Sequence, residues 1–249
     1  LADYVESEIL LQNGVRKVKY KLDEISDYVK NGFIAMEDRK FYSHNGIDLK
    51  RTLGAALNYI TKTSSVYGAS TITQQVVKNI SGDNEVKITR KLAEIIRAMH
   101  IEANHGKDEI LELYLNTIYL GQGANGVKAA AKVYFGKELD ELTLTECAAI
   151  AGISKNPYKY DIIRFPEFNK ERRATVLMTM RDNEKITESE FQAALKEEVS
   201  TENSEKLQSA GKEQSYFVDE VIMSVQEDLM EQKGYSKALA NQLLYTGGL

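Results

Sequence analysis

The chain has 249 residues, of which 43% are hydrophobic and 28% are charged, and its formal net charge at pH 7 is -5. These are ordinary values for a folded globular protein, so they argue against a disordered or fibrous chain, and the acidic balance argues weakly against nucleic acid as the main partner. The sequence contains no apolar run of about 18 residues and no basic region followed by an apolar run, so it predicts neither a transmembrane helix nor a signal peptide.

Basic residues are unevenly spread along the chain. Lys78, Lys87, Arg90, Lys91 and Arg97 lie close together in the sequence, whereas the stretch from 184 to 205 is mostly acidic. A local excess of positive charge can hold an anion even in a protein of negative net charge. We therefore expect an anionic group to bind near residues 78–97.

The chain starts with the only convincing strand signal. Asn13-Gly14 separates two short segments with alternating apolar residues, which predicts a small β-hairpin. From Asp23 onward apolar residues recur at helical spacing, so the predicted fold class is mainly α. Thr71 and Gln74 form a capping-box pattern that predicts a helix start, and Lys107 predicts another. Further helices are expected over 126–135, 143–153, 169–181, 187–199 and 215–232.

Several other patterns receive structural interpretations. Pro157 and Pro166 predict an irregular connection, because proline is excluded from helix interiors. The GQGANG segment satisfies a dinucleotide-binding pattern, but we interpret it as a turn after a helix that ends at Gly121, since alternating strands are absent from the prediction. Cys147 lies in an apolar run and is expected in the core, and the three histidines lack the spacing of a zinc site.

Three segments carry candidate chemistry. Glu37 and Asp38 close an apolar helix, where a partly buried carboxylate can act as a general base, although this segment taken alone favours a solvated acidic helix end. Ser70 and the residues after it place polar side chains at a helix start that suits an anion. Arg90 and Glu94 share a helical face, as an ordinary charge pair or as a second carboxylate held by a cation.

Together these segments resemble the five ordered motifs of peptidoglycan glycosyltransferases, the domain that polymerises glycan in class A penicillin-binding proteins. The motifs span residues 33–181. One departure is the segment SKNPYKYDIIRFPEF between the fourth and fifth motifs, and another is Ala69 in place of a second glycine. The matching residues, in motif order, are Glu37, Asp38, Phe41, His44 and Gly46; Gly68, Ser70, Thr71, Gln74, Gln75, Lys78 and Asn79; Arg90, Lys91 and Glu94; Lys107 to Asn116 with Tyr134 to Lys137; and Arg172, Arg173, Val176, Leu177 and Met180.

The resemblance implies an inverting transfer in which lipid II is added to a growing polyprenyl-pyrophosphate-linked glycan. It implies that Glu37 is the base, that Asp38 helps to orient it, and that Glu94 is a second carboxylate on the donor side. The two glutamates are expected to face one cleft without touching. The remaining expected substrate-binding residues are the polar and basic members of the motifs, with one of the last two arginines on the leaving pyrophosphate: His44, Ser70, Thr71, Gln74, Gln75, Lys78, Asn79, Arg90, Lys91, Arg172 and Arg173.

The resemblance also implies an organisation and a location. Residues 1–21 would be a hairpin and linker, 22–199 a lysozyme-like two-lobed glycosyltransferase domain with a membrane-contacting jaw at 49–67, and 200–249 a helical connector. The domain would act on the extracytoplasmic face of the membrane, its anchor being absent from this chain, and would bind moenomycin-type inhibitors. No cofactor is expected beyond a loosely bound Mg2+ or Mn2+ at the pyrophosphate. The alternatives left open are a lytic glycosidase of the same polymer and a catalytically silent lipid-binding module.

Overall fold

The structure of the protein, a computed structural model, describes residues 21–54, 70–81 and 88–204 together with the isolated Leu229. The predicted hairpin, most of the predicted jaw, and all of the predicted connector helix over 215–232 except Leu229 lie outside these residues. Eight α-helices are bounded as follows: α1 Asp27–Glu37, α2 Ile72–Ser81, α3 Ile88–Asn104, α4 Lys107–Thr117, α5 Val127–Phe135, α6 Leu144–Ile153, α7 Pro166–Asp182 and α8 Glu188–Lys196. Short 3-10 helices occupy Leu22–Glu24, Phe41–Ser43 and Leu139–Glu141, and residues 49–54 are helical.

The described ranges are mainly helical, as the apolar periodicity predicts. They contain no β-strand, and their only β-type pairing is an isolated antiparallel bridge between Tyr119 and Asn125. None of the described helices is both long enough and apolar enough to cross a membrane.

Helix α6 forms the centre of the core. Its residues from Thr145 to Ile153 are all buried, which is the pattern of a helix surrounded by protein on every side. Helices α1 and α7 pack against it. A Cβ added at Gly32 would lie 3.2 Å from the Cβ of Ala151, so glycine allows α1 to approach α6 closely. Cys147 is fully buried here, which confirms its predicted place in the core.

The predicted capping box starts α2. The Thr71 hydroxyl accepts the Gln74 backbone N–H at 3.2 Å, and the Gln74 side-chain oxygen accepts the Thr71 N–H at 2.9 Å. These bonds satisfy two backbone donors that a helix start otherwise leaves unpaired. Helix α2 therefore begins where the sequence predicts.

Three predicted boundaries were wrong. Helix α8 ends at Lys196 rather than at residue 199, because the backbone is already extended at Glu197. Pro166 is the first residue of α7 rather than part of the irregular connection. Proline suits that position because its fixed φ is helical and its missing N–H has no intrahelical partner there. Helix α4 ends at Thr117 rather than Gly121, because the chain turns back through Gly121, Gln122 and Gly123, all with positive φ, to close the Tyr119–Asn125 bridge.

Candidate active site

Glu37 is the last residue of α1 and is half-buried at the edge of a cleft. Its Oε2 accepts a hydrogen bond from Gln75 Nε2 at 2.8 Å, and its Oε1 accepts one from the Ser154 hydroxyl at 2.6 Å. The backbone carbonyl of Glu37 accepts a third bond from Arg51 at 2.9 Å. Because a carboxylate oxygen has two lone pairs, each oxygen keeps one free to take a proton.

Asp38, the next residue, is fully buried and does not line the cleft. Its Oδ2 accepts hydrogen bonds from His44 Nε2 at 2.8 Å and from the backbone N–H of Ile72, at the start of α2, at 3.0 Å. Its Oδ1 lies 3.7 Å from an Arg51 nitrogen. Asp38 therefore joins the end of α1 to the start of α2 and does not face the cleft.

His44 and Gly46 complete this junction. His44 Nδ1 accepts the Gly46 N–H at 3.2 Å, so the ring hydrogen is on Nε2 and is donated to Asp38. The Gly46 carbonyl accepts the Thr71 hydroxyl at 2.8 Å. His44 and Thr71, both expected to bind substrate, are thus used in fixing the loop to α2.

The two glutamines of α2 have different roles. Gln75 lines the cleft and donates to Glu37, whereas Gln74 is fully buried within the cap of α2. The Tyr114 hydroxyl donates to Gln75 Oε1 at 3.5 Å, which orients the amide so that its nitrogen faces Glu37. Burial raises the pKa of Tyr114 well above its usual value, and the charge of Glu37 adds to this, so the hydroxyl keeps the proton that it donates.

Glu94 lies in a separate cluster of charges on α3. It is 4% exposed, its Oε2 accepts from Arg90 at 2.8 Å, and its Oε1 pairs closely with Lys91 Nζ. Lys91 also donates to the Ser70 hydroxyl at 2.8 Å, and Ser70 lines the cleft. Among the described residues no hydrogen bond joins Glu94 to Glu37.

The cleft has a volume of about 1100 Å3 and a strongly positive lining. Of the predicted residues it is lined by Glu37, Ser70, Gln75, Lys78, Asn79 and Arg172. Seven of its described lining residues are basic and two are acidic, namely Arg39, Lys40, Lys50, Arg51, Lys78, Lys155 and Arg172 against Glu37 and Asp48. Such a lining favours an anionic ligand.

The two adjacent arginines of α7 have different surroundings, because one lines the cleft and the other is buried. Arg172 lines the cleft and lies over the Tyr160 ring at 5.6 Å. Burial lowers the pKa of Arg172, while electrostatic interactions with Tyr160 and Glu37 oppose that shift. Arg173 is buried and donates to the backbone carbonyl of Glu197 at 3.4 Å. Of this pair, Arg172 is therefore the one available to a ligand in the cleft.

Sequence reasoning missed several residues of the cleft. Arg39 and Lys40 directly follow the two acidic residues of the first motif, so their charge next to a candidate base was a usable signal. Arg51 and Ser154 gave no such signal, because they reach Glu37 from 14 and 117 positions away.

Comparisons with known proteins identify the family of this chain. The sequence model of the family described as Transglycosylase matches residues 6–181. Penicillin-binding protein 1A of Clostridium botulinum is 38% identical over 244 residues, which is 93% of this chain and 29% of that protein. Penicillin-binding protein 1A of Vibrio cholerae is 45% identical over 184 residues, 74% of this chain and 22% of that protein.

A crystal structure of penicillin-binding protein 1A from Haemophilus influenzae covers 90% of this chain and 22% of that one, with 27% identity and a TM-score of 0.48. The chain spans less than a third of the length of the relatives named above. The family match covers more than half of this chain and includes every described residue that lines the cleft. The chain therefore belongs to the transglycosylase family, and it corresponds to the transglycosylase domain of class A penicillin-binding proteins.

Proposed function

We propose that this chain is a peptidoglycan glycosyltransferase that polymerises lipid II into β-1,4-linked glycan by inverting transfer and releases polyprenyl pyrophosphate. The observation that carries the proposal is the Glu37 carboxylate, held by Gln75 and Ser154 at the edge of a cleft that is lined mainly by cations. A sugar hydroxyl needs a base as it attacks, and a leaving pyrophosphate needs positive charge. The cleft offers both.

In the proposed reaction Glu37 takes the proton of the acceptor 4-hydroxyl. The hydroxyl oxygen forms its bond to the anomeric carbon of the donor as the bond to the pyrophosphate oxygen breaks, and the electron pair leaves with the pyrophosphate. The proton on Glu37 is then lost to solvent. Both oxygens of Glu37 are oriented by hydrogen bonds before the reaction begins, so little reorganisation is needed during proton transfer.

Asp38 supports this base without acting as one. It is fully buried, and its bonds to His44 and to the Ile72 N–H fix the end of α1 against α2, which carries Gln75. We assign Asp38 and His44 to positioning Glu37 and Gln75 relative to each other.

Positive charge for the leaving group comes from several elements. Lys78 and Arg172 line the cleft directly, and Lys91 reaches it through its hydrogen bond to Ser70. Fixed cations stabilise negative charge that grows in the transition state without moving during the reaction. We propose that these three side chains act on the pyrophosphate.

We propose that Glu94 organises cations rather than moving a proton. Both of its oxygens are paired with positive side chains, Arg90 and Lys91. Among the described residues no group of three or more His, Cys, Asp or Glu side chains could hold a metal ion, so a divalent cation does not fit at Glu94 in this arrangement, and no step is assigned to a metal.

Membrane contact at the jaw is part of the proposal. Leu49 and Leu53 are 64% and 63% exposed at the start of the expected jaw, and the neighbouring Lys50 and Arg51 line the cleft. Exposed leucines beside basic residues suit a lipid surface. Such contact would place the cleft at a membrane surface, where the lipid tails of both substrates stay in the bilayer, and we propose that this surface is the extracytoplasmic face.

Liposome binding tests this contact. The L49S/L53S double variant should bind liposomes of anionic phospholipid more weakly than the unaltered chain, while L195S, which removes a 37% exposed leucine on α8, should not. Equal binding by all three proteins would remove the membrane contact. We further propose that the domain has a lysozyme-like two-lobed arrangement. We also propose that moenomycin-type inhibitors bind in the same cleft.

Product analysis tests the class of reaction. The 249-residue chain would be incubated separately with labelled lipid II and with preformed glycan. Longer glycan together with stoichiometric polyprenyl pyrophosphate is the expected result. Cleavage of preformed glycan would indicate a lytic glycosidase, and binding of lipid II without either reaction would indicate a silent module.

A further inference from the structure

The Ser154 hydroxyl lies between two acceptors at the edge of the cleft. Its Oγ is 2.6 Å from Glu37 Oε1 and 2.8 Å from the backbone oxygen of Ala151. Ser154 follows α6 directly as its C-cap residue, is half-buried, and lines the cleft. The close approach of α1 to α6 at Gly32 and Ala151 brings the ends of the two helices together.

A serine hydroxyl has one hydrogen, so it can donate to only one of these acceptors at a time. While Glu37 is ionised, donation to the carboxylate is favoured, because hydrogen bonds to charged groups are stronger than neutral ones. When Glu37 holds a proton, the Ser154 hydrogen can turn to the Ala151 carbonyl. The Oγ lone pairs then accept the carboxyl hydrogen, and no heavy atom needs to move.

Gln75 cannot make the same exchange. The nitrogen that faces Glu37 Oε2 is an amide N–H2 group, which donates and does not accept. Oε2 therefore accepts the Gln75 hydrogen bond whether Glu37 is ionised or protonated. A hydrogen on Oε1 can be donated to Ser154, so Oε1 is the oxygen on which the carboxyl hydrogen has an acceptor.

We propose that Ser154 is a positioning residue for the base, and that reorientation of its hydroxyl satisfies Glu37 both before and after Glu37 takes the proton of the acceptor sugar. The inference rests on the proposed function of Glu37. The Ser154 proton stays on Ser154 throughout, while the sugar proton passes to Glu37 and from there to solvent.

Other charged or titratable groups near Glu37 are the same in every Ser154 variant. They are Asp38 beside it, Arg51 on its backbone carbonyl, Tyr114 from α4, Arg172 from α7 and Lys155 on the cleft lining. A difference in the pH–rate profile between Ser154 variants therefore reports the hydroxyl itself.

The test compares S154A and S154T by the rate of lipid II polymerisation as a function of pH and of lipid II concentration. Removing a hydrogen bond to an ionised base should lower kcat about tenfold and move the acidic limb of the profile upward by about one pH unit, with KM nearly unchanged. S154T retains a hydroxyl and should restore most of the rate. S43A is the matched control, because the exposed Ser43 makes the same bond to a backbone oxygen three residues earlier, at 2.9 Å, without a carboxylate partner.

The outcomes separate the two proposals. Wild-type rate and pH profile in S154A, with E37Q inactive, would overturn the role of Ser154 and leave that of Glu37 intact. Loss of activity in S154A without a shift of the profile and without rescue by S154T would also overturn it, since a purely structural role gives that pattern. Full activity in E37Q would overturn the proposed function first.

Discussion

Replacing Gly46 by alanine, in the loop after α1, should destabilise the protein. Gly46 has φ +86, and its added Cβ would lie 2.8 Å from the backbone C and O of Ala98 and 2.9 Å from the N of Met99. The positive φ costs a non-glycine residue about 1–2 kcal/mol. Overpacking against backbone adds about 1–3 kcal/mol, because a helix backbone cannot rotate away as a side chain can.

Gly46→Ala should therefore lower the free energy of unfolding by about 2–5 kcal/mol. The matched control is Gly123→Ala, where φ is +73 but nothing lies within 4 Å of the added Cβ, so only the cost of the backbone conformation remains. Urea unfolding of both variants separates the two contributions. The displaced helix is α3, which carries Glu94 one turn before Ala98, so glycan polymerisation should fall as well.

Equal losses of stability in Gly46→Ala and Gly123→Ala would refute the close approach of α3 to this loop. A Gly46→Ala variant with wild-type stability would refute both the cost of the positive φ and the cost of overpacking against α3.

Three further predictions use other described contacts. Arg172→Ala should slow lipid II polymerisation about a hundredfold without changing the midpoint of urea unfolding, because Arg172 lines the cleft. Arg173→Ala should lower that midpoint, because Arg173 bonds to the backbone of Glu197. The reverse pattern would mean that Arg173 binds the ligand and Arg172 stabilises the fold. Burial raises the pKa of Cys147 to about 12, so a thiol reagent should modify it only as fast as the protein unfolds, and rapid labelling of folded protein would contradict its burial. The pKa of Glu190 is lowered from 4.5 to about 2, and the largest cause is the hydrogen bond that the Tyr28 hydroxyl donates to it. This hydrogen bond therefore stabilises the fold above about pH 4.5, and its contribution is lost as the pH falls toward 2. The destabilisation in Tyr28→Phe, measured by urea unfolding, should shrink toward zero over that range, and a constant difference would contradict the assignment.

Local patterns in the sequence predict much of this fold. The reciprocal bonds of Thr71 and Gln74 involve residues three apart, so the start of α2 is encoded within one turn. The buried run of α6 is visible as a continuous apolar segment. Pro166 was misplaced because proline both breaks a helix and begins one, and its local sequence does not decide between the two.

The candidate site depends more on contacts between distant residues. The sequence presents Glu37 and Asp38 as equivalent neighbours, but the backbone turn after α1 leaves the first at the cleft and buries the second. The partners of Glu37 come from α2 and from the end of α6, and the approach of α6 depends on packing at Gly32. Resemblance to a family supplied the motif residues, but it gave no indication of Ser154 or Arg51.

The role of Glu37 as the base is tested by the rate of lipid II polymerisation in the Glu37→Gln variant, with lipid II binding measured in parallel. Glutamine keeps the size of the side chain and its oxygen but cannot accept the acceptor proton as a base. We expect a loss of activity of about 10²–10⁴-fold with binding within a few-fold of the unaltered chain. Polymerisation by Glu37→Gln at close to the normal rate would mean that another group is the base.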